Sequence, residues 1–96
     1  MIRHGVLLKW KPGTTDDQIR EVEDNLSRMP DLIPFIRRYE RGRDLDVTGS
    51  HDFAIIADFD TTDDYRRYAD QPDHLTVTRE LIGPILESIA RVQYAL

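Results

Sequence analysis

The 96-residue chain predicts an α+β fold with the element order β-α-β-β-α-β. Three observations carry that expectation. Apolar residues alternate along the first ten positions as they do on a strand. Beyond that strand, apolar positions recur at spacings of three and four, as on one face of a helix. The opening then repeats: Thr61-Thr62-Asp63-Asp64 echoes Thr14-Thr15-Asp16-Asp17, each time just after a strand pattern. An echo at the same structural point in each half fits two β-α-β units.

Taken in order, residues 2–10 form the first strand, with Ile2, His4, Val6, Leu8 and Trp10 on one face. Pro12-Gly13 breaks it. Thr15 and Gln18 fit a capping box, and Asp16 and Asp17 suit the positive end of a helix dipole. That helix buries Ile19, Val22, Leu26 and Met29. Pro30 and Pro34 bracket a short turn carrying Leu32 and Ile33. A second strand is expected over 35–41, a polar loop from Gly42 to Ser50, and a third strand over 52–59. Phe53, Ile55, Ala57 and Phe59 share one side of that third strand. A helix follows from about Asp63 to Asp70. Pro72 suits the first turn of another helix with Gln71 as its boundary, and this one bends or ends near Gly83-Pro84. Residues 89–96 complete a ferredoxin-like antiparallel sheet with helices on one face.

One helical layer cannot cover both faces of a sheet. The uncovered face carries Gly5, Leu7, Ala54, Ile56 and Val92, rimmed by Arg3, Lys9, Asp52 and Asp58. An apolar centre with a charged rim marks a partner surface, and a two-fold homodimer packing sheet on sheet is the simplest occupant.

Composition narrows the function. Ninety-six residues make one domain, spanning 1–96, with a modest core that oligomerisation would help. A net charge of −5 argues against nucleic acid as a partner. The basic cluster Arg37, Arg38, Arg41 and Arg43 reads as a solvated strand edge. With no cysteine, disulfides and thiolate chemistry are excluded. No apolar run approaches membrane-spanning length, so no membrane partner is expected. The N-terminus leads straight into a strand with no signal-peptide layout, and a cytoplasmic location is the default.

The residues able to do chemistry centre on Tyr68-Ala69-Asp70-Gln71-Pro72-Asp73-His74. Tyr68 shares a helix face with Tyr65, while Arg66 and Arg67 face water. Spacing alone favours core packing for Tyr68, its hydroxyl at the rim, over catalysis. His74 sits in the first turn after Pro72, where exposed amides disfavour positive charge and keep an imidazole neutral. Neutral imidazole is the form that accepts a proton. A histidine that merely caps its own loop is the alternative. His4, in register with Val6 and Leu8, points toward the helices; a lone histidine on an apolar face is more often a core residue than a ligand. His51, in the loop, carries little weight. No metal-ligand spacing, glycine-rich phosphate loop or serine elbow occurs, so neither metal nor cofactor is expected.

Four pieces in order, His4-Gly-Val-Leu-Leu-Lys-Trp10, Leu32-Ile33-Pro34, Ala57-Asp58-Phe59 and Tyr68-x-x-x-Pro72-x-His74, resemble the stress-responsive A/B barrel (Dabb) family over essentially the whole chain. The resemblance implies a ferredoxin-like subunit and a homodimer whose two sheets form an α+β barrel. It also implies a cavity between sheet and helices. In the family's polyketide-cyclising plant enzyme a tyrosine and a histidine perform an aldol closure; the matching positions are Tyr68 and His74, and an inward strand-one histidine matches His4. The implied wall is Val6, Leu8, Val22, Leu26, Ile55 and Val77. Phe53 stands where that enzyme has a further inward histidine, Val22 and Leu26 replace aromatic residues, and Gln71 replaces a histidine before the proline.

Two readings follow. In the first, an enzyme acts without cofactor on a small apolar, phenolic or otherwise oxygenated molecule. His74 removes a proton next to a carbonyl, Tyr68 hydrogen-bonds the enolate or positions the base, and His4 orients the substrate. Cyclisation, aldol-type condensation and isomerisation all suit the pair. In the second, the protein is a non-catalytic stress-associated dimer or binder of an apolar ligand. A cofactor-independent monooxygenase is a third, weaker option.

Overall fold

A computed structural model describes residues 1–96. Four strands form one antiparallel sheet in the order β2-β3-β1-β4: β1 is Ile2–Trp10, β2 Arg38–Arg43, β3 Phe53–Phe59 and β4 Leu86–Ala95. The helices are α1 (Asp16–Leu26), α2 (Met29–Leu32), α3 (Thr62–Ala69) and α4 (Pro72–Thr76). The chain leaves α4 through π-helical turns over Val77–Ile82 and a 3-10 turn over Gly83–Ile85. The expected ferredoxin-like topology is the observed one.

The cap chemistry explains where the helices begin. The Thr15 hydroxyl accepts the Gln18 N–H at 3.2 Å and the Gln18 side chain accepts the Thr15 N–H at 2.9 Å, the reciprocal box that starts α1. On α3 the cap is Thr61, accepting the Asp64 N–H at 3.1 Å. The two Thr-Thr-Asp-Asp segments are therefore used one residue out of step. The second threonine caps α1 because only it stands three residues before a glutamine.

Several boundaries differ from expectation. Helix α1 ends at Leu26, and the buried Met29 belongs to α2, where Pro30 sits in the first turn. What reads as a turn is a single helical turn. Strand β2 occupies 38–43 rather than 35–41: Phe35 and Ile36 precede it, Ile36 buried and Phe35 lying under the Arg67 guanidinium at 4.3 Å. Strand β4 begins at Leu86, where the 3-10 turn ends and the backbone becomes extended.

The core lies between the helices and the inner face of β1 and β3. Val6, Leu8 and Trp10 from β1 meet Phe53, Ile55, Ala57 and Phe59 from β3, and Val22, Leu26, Met29 and Ile33 close over them. Strand β2 is a solvated edge: Arg38 pairs with Glu40 and Arg43 with Asp16 and Glu23, Arg41 donates to the Glu23 backbone carbonyl, and Arg37, just before the strand, pairs with Asp60. On the uncovered face Leu7, Val92 and Tyr94 stand exposed. Beside them Arg3 grips Asp58 through two hydrogen bonds of 2.8 and 2.9 Å, a bidentate geometry. Gly5 leaves an indentation there, bounded by Ile56 and Val92.

Two neighbouring residues test this packing. Ile33 is 1 % exposed and Leu32 49 %. Ile33→Ala is expected to cost about 2–5 kcal/mol in urea denaturation, from lost burial and the cavity left behind. Leu32→Ala, at the surface, is expected to stay within about 0.5 kcal/mol of the parent.

Candidate active site

Strand pairing sets the first residue of the site. His4 lies opposite Ala57 on β3 and Gln93 on β4. It is buried, with the Tyr65 ring 4.6 Å from its own. The Gln93 side-chain N–H donates to His4 Nδ1 at 2.8 Å. A nitrogen that accepts carries no proton, so the neutral His4 ring holds its hydrogen on Nε2 and is a donor there. Burial, followed by the nearby His74 and Arg91, pushes His4 down from 6.5 to about 4.

His74 has the opposite arrangement. Pro72 opens α4 with Gln71 as its extended boundary residue, as the sequence predicts. The turn brings His74 Nδ1 to 3.2 Å from the Ala69 carbonyl. A carbonyl only accepts, so Nδ1 carries the hydrogen and Nε2 holds the basic lone pair. Burial lowers the pKa of His74 below its usual value, partly opposed by the bond to Ala69. Neutrality was expected from the helix terminus; the dominant cause is desolvation.

Tyr68 is 2 % exposed, and its ring packs on His74 at 4.2 Å between centroids, tilted by 46°. Its hydroxyl is 2.9 Å from that of Tyr39 on β2. The tyrosine and histidine thus meet ring to ring, while the phenol is positioned by a second phenol that the sequence did not single out. Burial raises the Tyr68 pKa well above the usual phenol range, with Tyr39 adding to the effect. Tyr68 therefore keeps its proton at any physiological pH.

These groups share a cavity of about 370 Å³ between the sheet and α3–α4. Of the expected residues, His4, Val6, Leu8, Leu26, Ile55, Tyr68 and His74 line it. Val22, Phe53 and Val77 do not; all three are sealed in the core. Phe53 packs on Trp10, with ring centroids 5.6 Å apart, at the far end of its strand face. Val77 is displaced because the π-helical turns give the cavity to Leu75, Thr78 and Ile82. Sequence reasoning also missed Tyr65, Leu86, Ile89 and Arg91 as lining residues. The i, i+3 spacing from Tyr68 was the available signal for Tyr65. The others needed the register of β4.

A larger hollow of about 620 Å³ lies where the β2–β3 loop meets the uncovered sheet face. His51 is its one histidine, and its ring nitrogen is 2.9 Å from the Ser50 hydroxyl. No pair of acid and base converges there. No group of three or more His, Asp or Glu side chains comes together as metal ligands. No helix is long and apolar enough to cross a membrane.

Known proteins share this frame. A dimeric ferredoxin-like protein of unknown function from Thermobifida fusca is 41% identical, with a TM-score of 0.90 over 99% of this chain and 90% of that one. A dimeric protein of unknown function from Bacteroides fragilis is 24% identical, with a TM-score of 0.89 over 99% and 95%. The hydroxynitrile lyase of Passiflora edulis is 21% identical, with a TM-score of 0.85 over 99% and 92%. No curated protein sequence matches. The profile described as "Stress responsive A/B Barrel Domain" matches residues 2–96, and the chain belongs to that family.

Proposed function

We propose that the protein is a homodimeric enzyme performing acid–base chemistry on a small oxygenated molecule, with no cofactor needed for the step. One observation carries this reading: two neutral histidines, His4 buried and His74 half-buried, line one largely apolar cavity in opposed tautomers. His74 offers a lone pair at Nε2 and His4 offers a hydrogen at Nε2. That is the complement needed for proton abstraction next to a carbonyl. In the step, His74 Nε2 takes the carbon-bound proton. The electron pair moves to the carbonyl oxygen, whose developing charge His4 Nε2–H stabilises, aided by the Tyr68 hydroxyl. The enolate carbon then attacks a second carbonyl, or is reprotonated elsewhere. The His74 proton goes to the new alkoxide or to carbon, and the base is restored. Cyclisation or aldol-type condensation follows the first course and isomerisation the second.

The match of Tyr68 and His74 to the tyrosine and histidine of the family's polyketide-cyclising plant enzyme supports the first course. The hydroxynitrile lyase on the same fold supports placing lyase chemistry within reach of such a cavity. A ligand-binding protein without turnover is the second reading, favoured by the largely apolar wall and by the engagement of the Tyr68 hydroxyl with Tyr39.

Dimerisation through the uncovered sheet face is part of the proposal. It is supported by the exposed Leu7 and Val92, by the Arg3–Asp58 rim, and by relatives described as dimeric. Val92→Glu is expected to give a folded monomer in analytical ultracentrifugation. A variant that remains dimeric places the interface elsewhere.

Catalysis is tested without knowing the substrate by following deuterium uptake from D₂O at the carbons flanking the carbonyl of phenylacetone. The parent is expected to accelerate exchange over buffer, and His74→Ala to lose about 10²–10⁴-fold of that acceleration. Equal exchange by parent and variant removes His74 as the base; a parent that binds the ketone but exchanges nothing selects the second reading.

The pH dependence has a fixed sign. His74 acts only when unprotonated, and its pKa is lowered from 6.5. The exchange rate is therefore expected to be level above about pH 6.5 and to fall on the acid side only. A rate that rises as pH drops below that point contradicts the assignment.

A further inference from the structure

Strand β4 is an edge strand exposed along most of its length, so its side chains project beyond the cover of the helices. Its register with β1 sets Ile89, Arg91 and Gln93 on the helix-facing side, opposite Leu8, Val6 and His4. Ile89 extends the apolar wall, and Gln93 donates to His4. Arg91 does neither. It lines the cavity, where it is the one charged side chain, and it is exposed. Most other arginines on or beside the sheet have carboxylates: Arg3 has Asp58, Arg37 has Asp60, Arg38 has Glu40, and Arg43 has Asp16 and Glu23, while Arg41, outside the cavity, donates to the Glu23 backbone carbonyl. No carboxylate of the chain pairs with Arg91, in a sequence with 18 acidic residues against 13 basic ones.

From this placement we propose that Arg91 selects ligands carrying a carboxylate, holding the acid at the β4 edge while an apolar body fills the cavity. A guanidinium presents a planar fork of donors that matches a carboxylate through two parallel hydrogen bonds. The remaining wall, from Val6, Leu8, Leu26 and Ile55 through Leu75 and Ile82, suits hydrocarbon or an aromatic ring. With the acid fixed on β4, the other end of the ligand lies toward α4, the element that carries His74. The positive charge also opposes protonation of His4 and so supports its role as a neutral donor. The inference shares with the proposed function the premise that this cavity is the ligand site, and it requires no turnover.

The test compares octanoate with 1-octanol, which have the same chain length and differ in charge. Dissociation constants are read at pH 7 from backbone amide shifts of the full chain. The parent is expected to bind octanoate about fivefold or more tightly than octanol, the scale of one charge-assisted pair at a partly exposed site. Arg91→Met is expected to bring that ratio to about one, and Arg91→Lys to retain part of it. A parent that shows this preference but accelerates no ketone proton exchange defeats the proposed reaction and leaves this inference standing. Equal binding of the two probes by the parent, no binding of either, or a preference that survives Arg91→Met overturns it. Tighter Arg91-dependent binding of octyl phosphate than of octanoate overturns the choice of carboxylate.

Discussion

The pairing of β1 between β3 and β4 holds the sheet, the core and the cavity in one frame. Side chains alternate along a strand, so a slip of one residue would turn His4, Val6, Leu8 and Trp10 outward together. The observed register puts His4 against Ala57, a side chain small enough to leave room, and against Gln93, which fixes the ring's tautomer. It also places Gly5 and Leu7 on the opposite face, against Ile56 and Ala54. The chemistry on one face and the apolar patch on the other are thus consequences of a single alignment. Burial of β1's inner face enforces that alignment against a one-residue slip, which would expose Leu8 and Trp10 and bury Arg3 and Lys9.

How much of this was legible in the sequence depends on whether a residue's neighbours lie near it along the chain. Strand β1 shows a clean alternation because one face is buried and the other is not. Helix α1 announces itself through Thr15 and Gln18, whose bonds are local. Strand β2 was misplaced because Arg38–Arg43 is an exposed edge with almost no alternation to read. The start of β4 was hidden by the 3-10 turn that feeds it. Of the cavity-lining residues, Tyr68, His74 and His4 were singled out through spacing and a whole-chain resemblance; alternation gave the inward faces of Val6, Leu8 and Ile55, and the resemblance implied that they form the wall. Val77, placed in the wall by the resemblance, is instead sealed in the core at the start of the π-helical segment. Phe53 has the right face but the wrong end of its strand. The Tyr39–Tyr68 contact joins positions 29 residues apart, and no local pattern encodes it.

The electrostatics of the cavity come from desolvation more than from pairing. The core offers His4 and His74 no carboxylate, and both are held below the pKa of a free imidazole. Without an anion to stabilise an imidazolium, neutrality is the lower-energy state for each ring. The two local hydrogen bonds then decide what each neutral ring can do. Gln93 donates to Nδ1 of His4, which therefore carries no hydrogen, and the Ala69 carbonyl accepts one from His74 Nδ1. Tyr68 is kept protonated by burial, and its hydroxyl is held by that of Tyr39. On the proposed reading the division of labour resides in these second partners, which explains why the histidines alone did not define it.

The most direct measurement of that division is the protonation pattern of the two imidazoles, read from side-chain nitrogen–hydrogen correlation spectra of the ¹⁵N-labelled protein at pH 7. His4 is expected to carry hydrogen on Nε2 alone, and His74 on Nδ1 alone. The same tautomer in both rings, or an imidazolium signal from either, contradicts the assignment of one as donor and the other as base.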